Sequence, residues 1–117
     1  MNVTAIIEAR MGSTRLPHKT LMDIAGATLL ERVIERIRLA RSVEKIIVAT
    51  STNEADDPIL SLCRQIAVPC FRGSEEDVLE RVYEAAKLFG ADIIVQLGAD
   101  CPFYDPELID LLVYVAK

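Results

Sequence analysis

The chain has 117 residues, 51% hydrophobic and only 5% aromatic, which suits one domain with a core of Val, Ile, Leu and Ala. Its 13 Lys and Arg stand against 18 Asp and Glu, a net charge of -5 at pH 7. That balance excludes a nucleic-acid partner as an expectation, because such binding needs broad phosphate neutralisation.

The hydrophobic period then switches repeatedly along the chain. VTAII (Val3 to Ile7) is short and largely β-branched, as a buried strand is. ATLLERVIERIRLAR places Leu29, Leu30, Val33, Ile34 and Ile37 on one side of a helix, with Glu31, Arg32, Glu35, Arg36 and Arg38 mostly on the other. KIIVAT (Lys45 to Thr50) is a second buried strand. Asp57-Pro58 reads as an N-cap followed by proline at the first helical position, opening a helix through Leu60, Leu62 and Ile66. VPCF is a third strand, and its Pro69 points to a sheet edge. Ser74 and Asp77 form an S-x-x-D helix start with Glu75 and Glu76 in the first turn, where the helix dipole favours anions. That helix stops at Gly90. DIIVQL (Asp92 to Leu97) is a fourth strand, and Asp105-Pro106-Glu107 starts a last helix.

Strands alternating with helices imply βαβ units and a parallel sheet covered on both faces. In such a sheet, ligands bind at the carboxyl ends of the strands, near a switch point in strand order. Two loops leave such ends, Ala9 to Met22 and Gly98 to Asp105. The last helix, with LIDLLVYVAK, is apolar nearly all round. It therefore wants cover on more than one face, either in an oligomer interface or from the rest of a longer protein. Cys63, Cys70 and Cys101 are odd in number and widely spaced, so neither a disulfide framework nor a zinc site is indicated. No run approaches the roughly 20 apolar residues of a membrane span, and MNVTAIIEAR lacks the regions of a signal peptide. A cytoplasmic protein with no membrane partner is the expectation.

The loop after the first strand carries the chemistry. From Ala9 to Met22 there is no carboxylate, while Arg10, Arg15 and Lys19 stand there with His18. It is not a P-loop: the spacing from Gly12 to Lys19-Thr20 is one residue too long, and His18 replaces the second glycine. A GxGxxG fingerprint is absent, so a nicotinamide or flavin enzyme has no support. Gly12 and Ser13 permit a tight path with amides free for phosphate oxygens. Arg10 offers a planar fork and Lys19 a compact charge. Leu16-Pro17 anchors the outer limb. The set suits charge building on a leaving pyrophosphate. A solvated basic loop paired with nearby acids is the bland alternative. The coincidence of glycine, serine, ordered cations and missing carboxylates favours anion binding.

Glu8, beside Arg10, either closes the strand or pairs with that arginine. Asp100, just past the fourth strand, reads equally as a Mg²⁺ ligand or as a turn former before Cys-Pro. Asp105 reads as an N-cap and Asp110 as a surface residue. Cys101 has no cationic neighbour in sequence that would make it a nucleophile.

ARMGSTRLPHKTL resembles the A-R-x-x-S-x-R-L-P-x-K-x-L signature of sugar nucleotidyltransferases of the CMP-KDO synthetase and acylneuraminate cytidylyltransferase type. The likeness is strongest to the spore coat polysaccharide biosynthesis protein F branch. FRGSEEDVLERVYEAA (Phe71 to Ala86) and LGADCPFYDPELID (Leu97 to Asp110) agree with it, so the resemblance covers essentially the whole chain. It implies an α/β fold of the nucleotide-diphospho-sugar transferase type, a Rossmann-like three-layer sandwich with a mainly parallel sheet. It also implies a reaction: a sugar or sugar-acid oxygen attacks the α-phosphate of CTP, giving a CMP-sugar and pyrophosphate with Mg²⁺.

Carried onto this sequence, Arg10 and Lys19 match the triphosphate-binding pair, and Asp100 matches the magnesium-binding aspartate. These three form the catalytic set. The backbone around Ala9 and Arg10 would help read the base. Gly12, Ser13, Arg15, Gly73, Ser74 and Gly98 complete the nucleotide-binding candidates. Residues 1–117 would then be the nucleotide-binding N-terminal part of an incomplete domain, with the sugar-binding part in sequence beyond it. Two alternatives stay open. One is a non-catalytic nucleotide-binding module that assembles as a homo-oligomer through its last helix. The other is a nucleotidyltransferase for another nucleoside triphosphate.

Overall fold

The structure is a computed structural model that describes residues 2–12, 19–24, 26–99 and 103–117, without the side chains of Lys19 and Ile24. In chain order the elements are β1 (Val3–Glu8), β2 (Asp23–Ile24), β3 (Ala27–Thr28), α1 (Leu29–Arg38), β4 (Lys45–Ser51), α2 (Asp57–Gln65), β5 (Cys70–Gly73), α3 (Val78–Phe89), β6 (Ile93–Gly98) and α4 (Pro106–Ala116). Short 3-10 turns lie at Lys19–Leu21 and Glu54–Asp56.

The main sheet has the order β5-β4-β1-β6, with every neighbouring pair parallel. By chain order these strands are the third, second, first and fourth, so the order reverses between β1 and β6. A crevice opens at such a reversal, beyond the carboxyl ends of the strands. There Glu8 ends β1 opposite Ala49 on one side and Gly98 on the other.

The two faces of β1 follow its period of two. Val3, Ala5 and Ile7 join Val48, Leu30, Ile34, Ile59 and Ile109 in one core, so α1, α2 and α4 cover that face. Ile6 and Ala49 pack against Val82, Ala85 and Ala86, so α3 covers the other. The result is three layers, as the alternation of elements requires. β5 is an edge strand, in keeping with Pro69 just before it.

Helix α1 starts at a capping box: Thr28 accepts from the Glu31 amide, and the Glu31 side chain reaches back to the Thr28 backbone. Its buried residues are Leu29, Leu30, Val33, Ile34 and Ile37, the stripe read from the sequence. α3 ends at Gly90 in the left-handed region, φ 67°, where glycine carries no Cβ penalty. α4 starts after Asp105, which accepts from the Glu107 amide.

Three local expectations need correcting. The residue before α2 is Asp56 rather than Asp57, which is itself the first helical residue. Asp56 makes no side-chain cap because its carboxylate is engaged elsewhere. The cap of α3 is Asp77, accepting from Glu80, so Glu75 and Glu76 precede the helix instead of lying in its first turn. Ser74 serves one step earlier, accepting from the Asp77 amide. Asp110 is more than a surface residue: its carboxylate accepts from the Arg41 and Ser42 amides and the Ser42 hydroxyl. It ties α4 to the connection between α1 and β4.

The last helix is covered on one side only. Ile109 and Val113 are buried, while Leu108, Leu111, Leu112, Tyr114 and Val115 are exposed. Among the described residues, no helix is long and apolar enough to cross a membrane.

Candidate functional site at the strand ends

The chain leaves β1 through Ala9, which is buried and donates its amide to the Ala49 carbonyl at 3.0 Å. Ala9 thus extends the ladder one residue past the strand. On the other side, Ala99 donates to the Glu8 carbonyl at 3.0 Å. The loops after β1 and β6 therefore start side by side, at the reversal of strand order.

The basic loop is tied at both ends. The Met11 amide donates to Asp56 Oδ1 at 2.7 Å, and the Ser51 hydroxyl donates to Asp56 Oδ2. Asp56 is 2% exposed, a buried carboxylate that aligns the end of β4 with the start of the loop. From the far end, the Thr20 hydroxyl donates to the Arg10 carbonyl at 2.8 Å. Thr20 sits in the 3-10 turn with Lys19, so the backbone at Lys19 returns to Arg10. Ser13, Arg15, Leu16, Pro17 and His18, and the side chain of Lys19, lie outside the described residues.

The guanidinium of Arg10 faces the loop after β5. Its Nη2 lies 3.5 Å from Glu75 Oε1, and its Nη1 donates to the Glu75 carbonyl at 3.4 Å. Its Nε is buried without a hydrogen-bond partner among the described residues. Of the two readings of Glu8, the structure favours the strand end: its carboxylate accepts from Gln96 at 3.4 Å, and the ion pair found for Arg10 is with Glu75. Gly12 is exposed, and a Cβ there would meet Arg10 Nη2 at 3.8 Å. The arginine head thus folds over the glycine.

Gly73 and Ser74 close the opposite wall. A Cβ on Gly73 would meet Phe71 Cε1 at 2.8 Å and Arg81 Cγ at 3.2 Å, so a larger residue there would force the Phe71 ring, or α3, to shift. The Ser74 carbonyl accepts from Arg81 Nη1 at 3.0 Å. Arg81 is 1% exposed and its Nε has no partner among the described residues. Burial lowers its pKa; Glu8 opposes that shift, Arg10 adds to it, and Asp56 opposes it. Its bond to the Ser74 carbonyl sets the buried guanidinium against the loop after β5.

Gly98 is held by Tyr104, whose hydroxyl accepts from the Gly98 amide at 3.0 Å and donates to the Gly98 carbonyl at 2.8 Å. Asp100 and Cys101 lie outside the described residues. Among the described residues, no group of three or more His, Cys, Asp or Glu is placed to hold a metal ion.

The structure thus gathers Ala9, Arg10, Gly12, Gly73, Ser74 and Gly98 along one edge of the sheet. Sequence reasoning passed over Asp56, Arg72 and Arg81, and gave Glu75 a helix-start role instead of a place at the site. Arg72 forks to the Ser51 carbonyl at 2.7 Å, the Asn53 carbonyl at 2.8 Å and Asp57 at 2.7 Å, locking β5 to the end of β4. One signal was available for Arg81: it falls on the apolar stripe of α3 with Val78, Val82 and Ala85. A charge on such a stripe is buried with a purpose or not at all.

Comparison with known proteins agrees with this fold. A family model described as cytidylyltransferase matches residues 4–116. The chain is 38% identical to the spore coat polysaccharide biosynthesis protein SpsF of Bacillus subtilis, over 96% of this chain and 48% of that one. A solved cytidylyltransferase of Leptospira borgpetersenii superposes with a TM-score of 0.92 at 38% identity, covering 98% of this chain and 48% of that one. A CMP:2-keto-3-deoxy-manno-octonic acid synthetase solved with CTP gives a TM-score of 0.83 at 26% identity, covering 98% of this chain and 47% of that one. The nucleotide-diphospho-sugar transferase type of fold is the one observed. The chain spans about half the length of these relatives.

Proposed function

The chain belongs to the cytidylyltransferase family, and from that premise we propose that it binds CTP with Mg²⁺ at the carboxyl ends of β1, β4, β5 and β6. It supplies the nucleotide half of an enzyme that transfers the cytidylyl group to a sugar or sugar acid. The acceptor oxygen bonds to the α-phosphorus, the bond to the β-phosphate oxygen breaks, and pyrophosphate leaves.

One observation carries this reading. The loop that bears Arg10 and Lys19 is closed on itself by the Thr20 hydroxyl on the Arg10 carbonyl and fixed to the sheet by Asp56. These ties hold the described ends of the loop, and with them the backbone of Arg10, at the strand ends, where cations would stabilise the charge of a leaving pyrophosphate. In this proposal Arg10 and Lys19 take the β- and γ-phosphates. Gly12 and Ser13 offer amides, Arg15 adds charge, and the backbone at Ala9 and Arg10 meets the base. Gly73, Ser74 and Gly98 bound the nucleotide.

Ala99 donates to the Glu8 carbonyl at 3.0 Å, and the next residue in sequence, Asp100, is the carboxylate that this proposal assigns to Mg²⁺. Mg²⁺ needs only one or two carboxylates when phosphates and waters fill its other positions, and a single Asp100 meets that need. The metal would neutralise charge on the departing pyrophosphate. Residues that bind the acceptor are assigned to the half of the relatives that this chain does not span. The family fits a role in making a surface or spore coat polysaccharide.

Competition among nucleoside triphosphates tests the proposal. Labelled CTP bound to the 117-residue chain should be displaced by unlabelled CTP far better than by ATP, GTP or UTP. Equal displacement by all four moves the reading to another nucleotidyltransferase. The exposed apolar residues of α4 favour a second reading, a module that assembles through that helix. Under that reading the chain self-associates in solution, and a stable monomer contradicts it.

A further inference from the structure

The basic loop contains no acid, so the counter-ion of Arg10 comes from elsewhere in the chain. It is Glu75, in the loop after β5. One carboxylate oxygen lies 3.5 Å from Arg10 Nη2, and the residue's own carbonyl accepts from Arg10 Nη1 at 3.4 Å. The other carboxylate oxygen accepts from Asn53 Nδ2 at 2.8 Å.

Asn53 is a fixed support. Its amide donates to the Ser51 hydroxyl at 3.1 Å, its side-chain oxygen accepts from Ala55 at 2.8 Å, and its carbonyl accepts from Arg72 at 2.8 Å. The Glu75 loop is fixed as well, through the Ser74 carbonyl on Arg81 at 3.0 Å. An anionic oxygen is therefore held against the arginine assigned to the triphosphate.

We propose that Glu75 sets the phosphate affinity of this site by occupying Arg10 until a polyphosphate displaces it. The inference rests on the reading of the site given above. The pair is built to yield. Its contacts are long, and its side chains are 37% and 39% exposed, a setting in which an ion pair contributes about 0–1 kcal/mol. A polyphosphate brings several charges and a matched geometry for the arginine fork. When it binds, Glu75 keeps its hydrogen bond to Asn53 and stays oriented. When pyrophosphate leaves, the carboxylate is in place to retake Arg10.

The test measures equilibrium binding of CTP and of inorganic pyrophosphate to five forms of the chain: wild type, Glu75→Gln, Glu76→Gln, Arg10→Ala and the double variant with Arg10→Ala and Glu75→Gln. Glu75→Gln should tighten both ligands roughly two- to fivefold, the range that an exposed ion pair allows. Glu76→Gln removes the same charge one residue away, and its effect should be clearly smaller. Without Arg10, the Glu75 effect should vanish. Unchanged or weaker binding by Glu75→Gln overturns the proposal. So does an equal gain from Glu76→Gln, or a gain that persists without Arg10. If pyrophosphate shows the Glu75 effect while CTP does not bind, the nucleotide reading fails and the role of Glu75 stands. If wild type binds neither ligand, both fall.

Discussion

The carboxylate of Asp56 accepts the backbone amide of Met11 at 2.7 Å across 45 residues of chain. Its second oxygen takes the Ser51 hydroxyl. One buried side chain thus fixes where the basic loop leaves the sheet. Asp56→Ala leaves two buried donors unpaired, and the stability lost should be about 2–4 kcal/mol. Asp56→Asn keeps an acceptor oxygen and should lose less. Urea denaturation measures both. CTP affinity should fall in the same order, because the loop loses its fixed start. Equal stability of wild type and Asp56→Ala contradicts the assignment.

Gly73 is the tightest backbone approach at the site. Alanine there would place its Cβ 2.8 Å from Phe71 Cε1 and 3.2 Å from Arg81 Cγ, so one of those side chains must move. The cost should be about 1–2 kcal/mol, read as a shift in the urea midpoint. A change within about 0.5 kcal/mol, ordinary for an unencumbered surface position, contradicts the packing described here.

These two residues show what was legible in the sequence. The helices and strands of the main sheet, its parallel nature and the place of the loop came from hydrophobic period and from caps such as Asp105. Gly73 could be named by resemblance, but its physical reason, the crowding by the Phe71 ring and by Arg81 of α3, shows only in the folded chain. Asp56 carries no local signal, because its partner Met11 is distant in sequence. Asp57, beside a proline, attracted the cap assignment that the backbone does not make. The strands β2 and β3 have two residues each, too few for any alternation to show. Glu75 read as a first-turn acid, since nothing local reveals that it faces Arg10.

Asp110 predicts how stability responds to acid. The Ser42 hydroxyl, followed by the Ser42 and Arg41 amides, holds its carboxyl below the usual carboxylate range. A depressed folded-state pKa gives stability that is present above the unfolded pKa and lost as pH falls through the folded one. Asp110→Asn should therefore be less stable at neutral pH, with a flatter decline on acidification. Denaturation at a series of pH values checks this. Parallel curves for the two proteins contradict it.

Cys63 and Cys70 should differ sharply in reactivity. The hydrogen bond with Cys70, together with burial, pushes the Cys63 thiol up. The same hydrogen bond pulls the Cys70 thiol down against its own burial, with help from Arg72 and Arg64. The thiolate is the reactive form. Iodoacetamide near neutral pH should label Cys70 well before Cys63 in the folded chain, as followed by peptide mass mapping. Comparable rates for the two contradict the asymmetry.

The loop holding Arg10 is assigned a nucleoside triphosphate. Calorimetric titration of the 117-residue chain with CTP and Mg²⁺ tests it most directly, beside Arg10→Ala and a parallel titration with inorganic phosphate. Saturable CTP binding is predicted, weakened about tenfold or more in Arg10→Ala by the loss of charge-assisted hydrogen bonds, with inorganic phosphate binding far more weakly. Equal affinity for CTP and inorganic phosphate, or CTP binding untouched by the loss of Arg10, would contradict it.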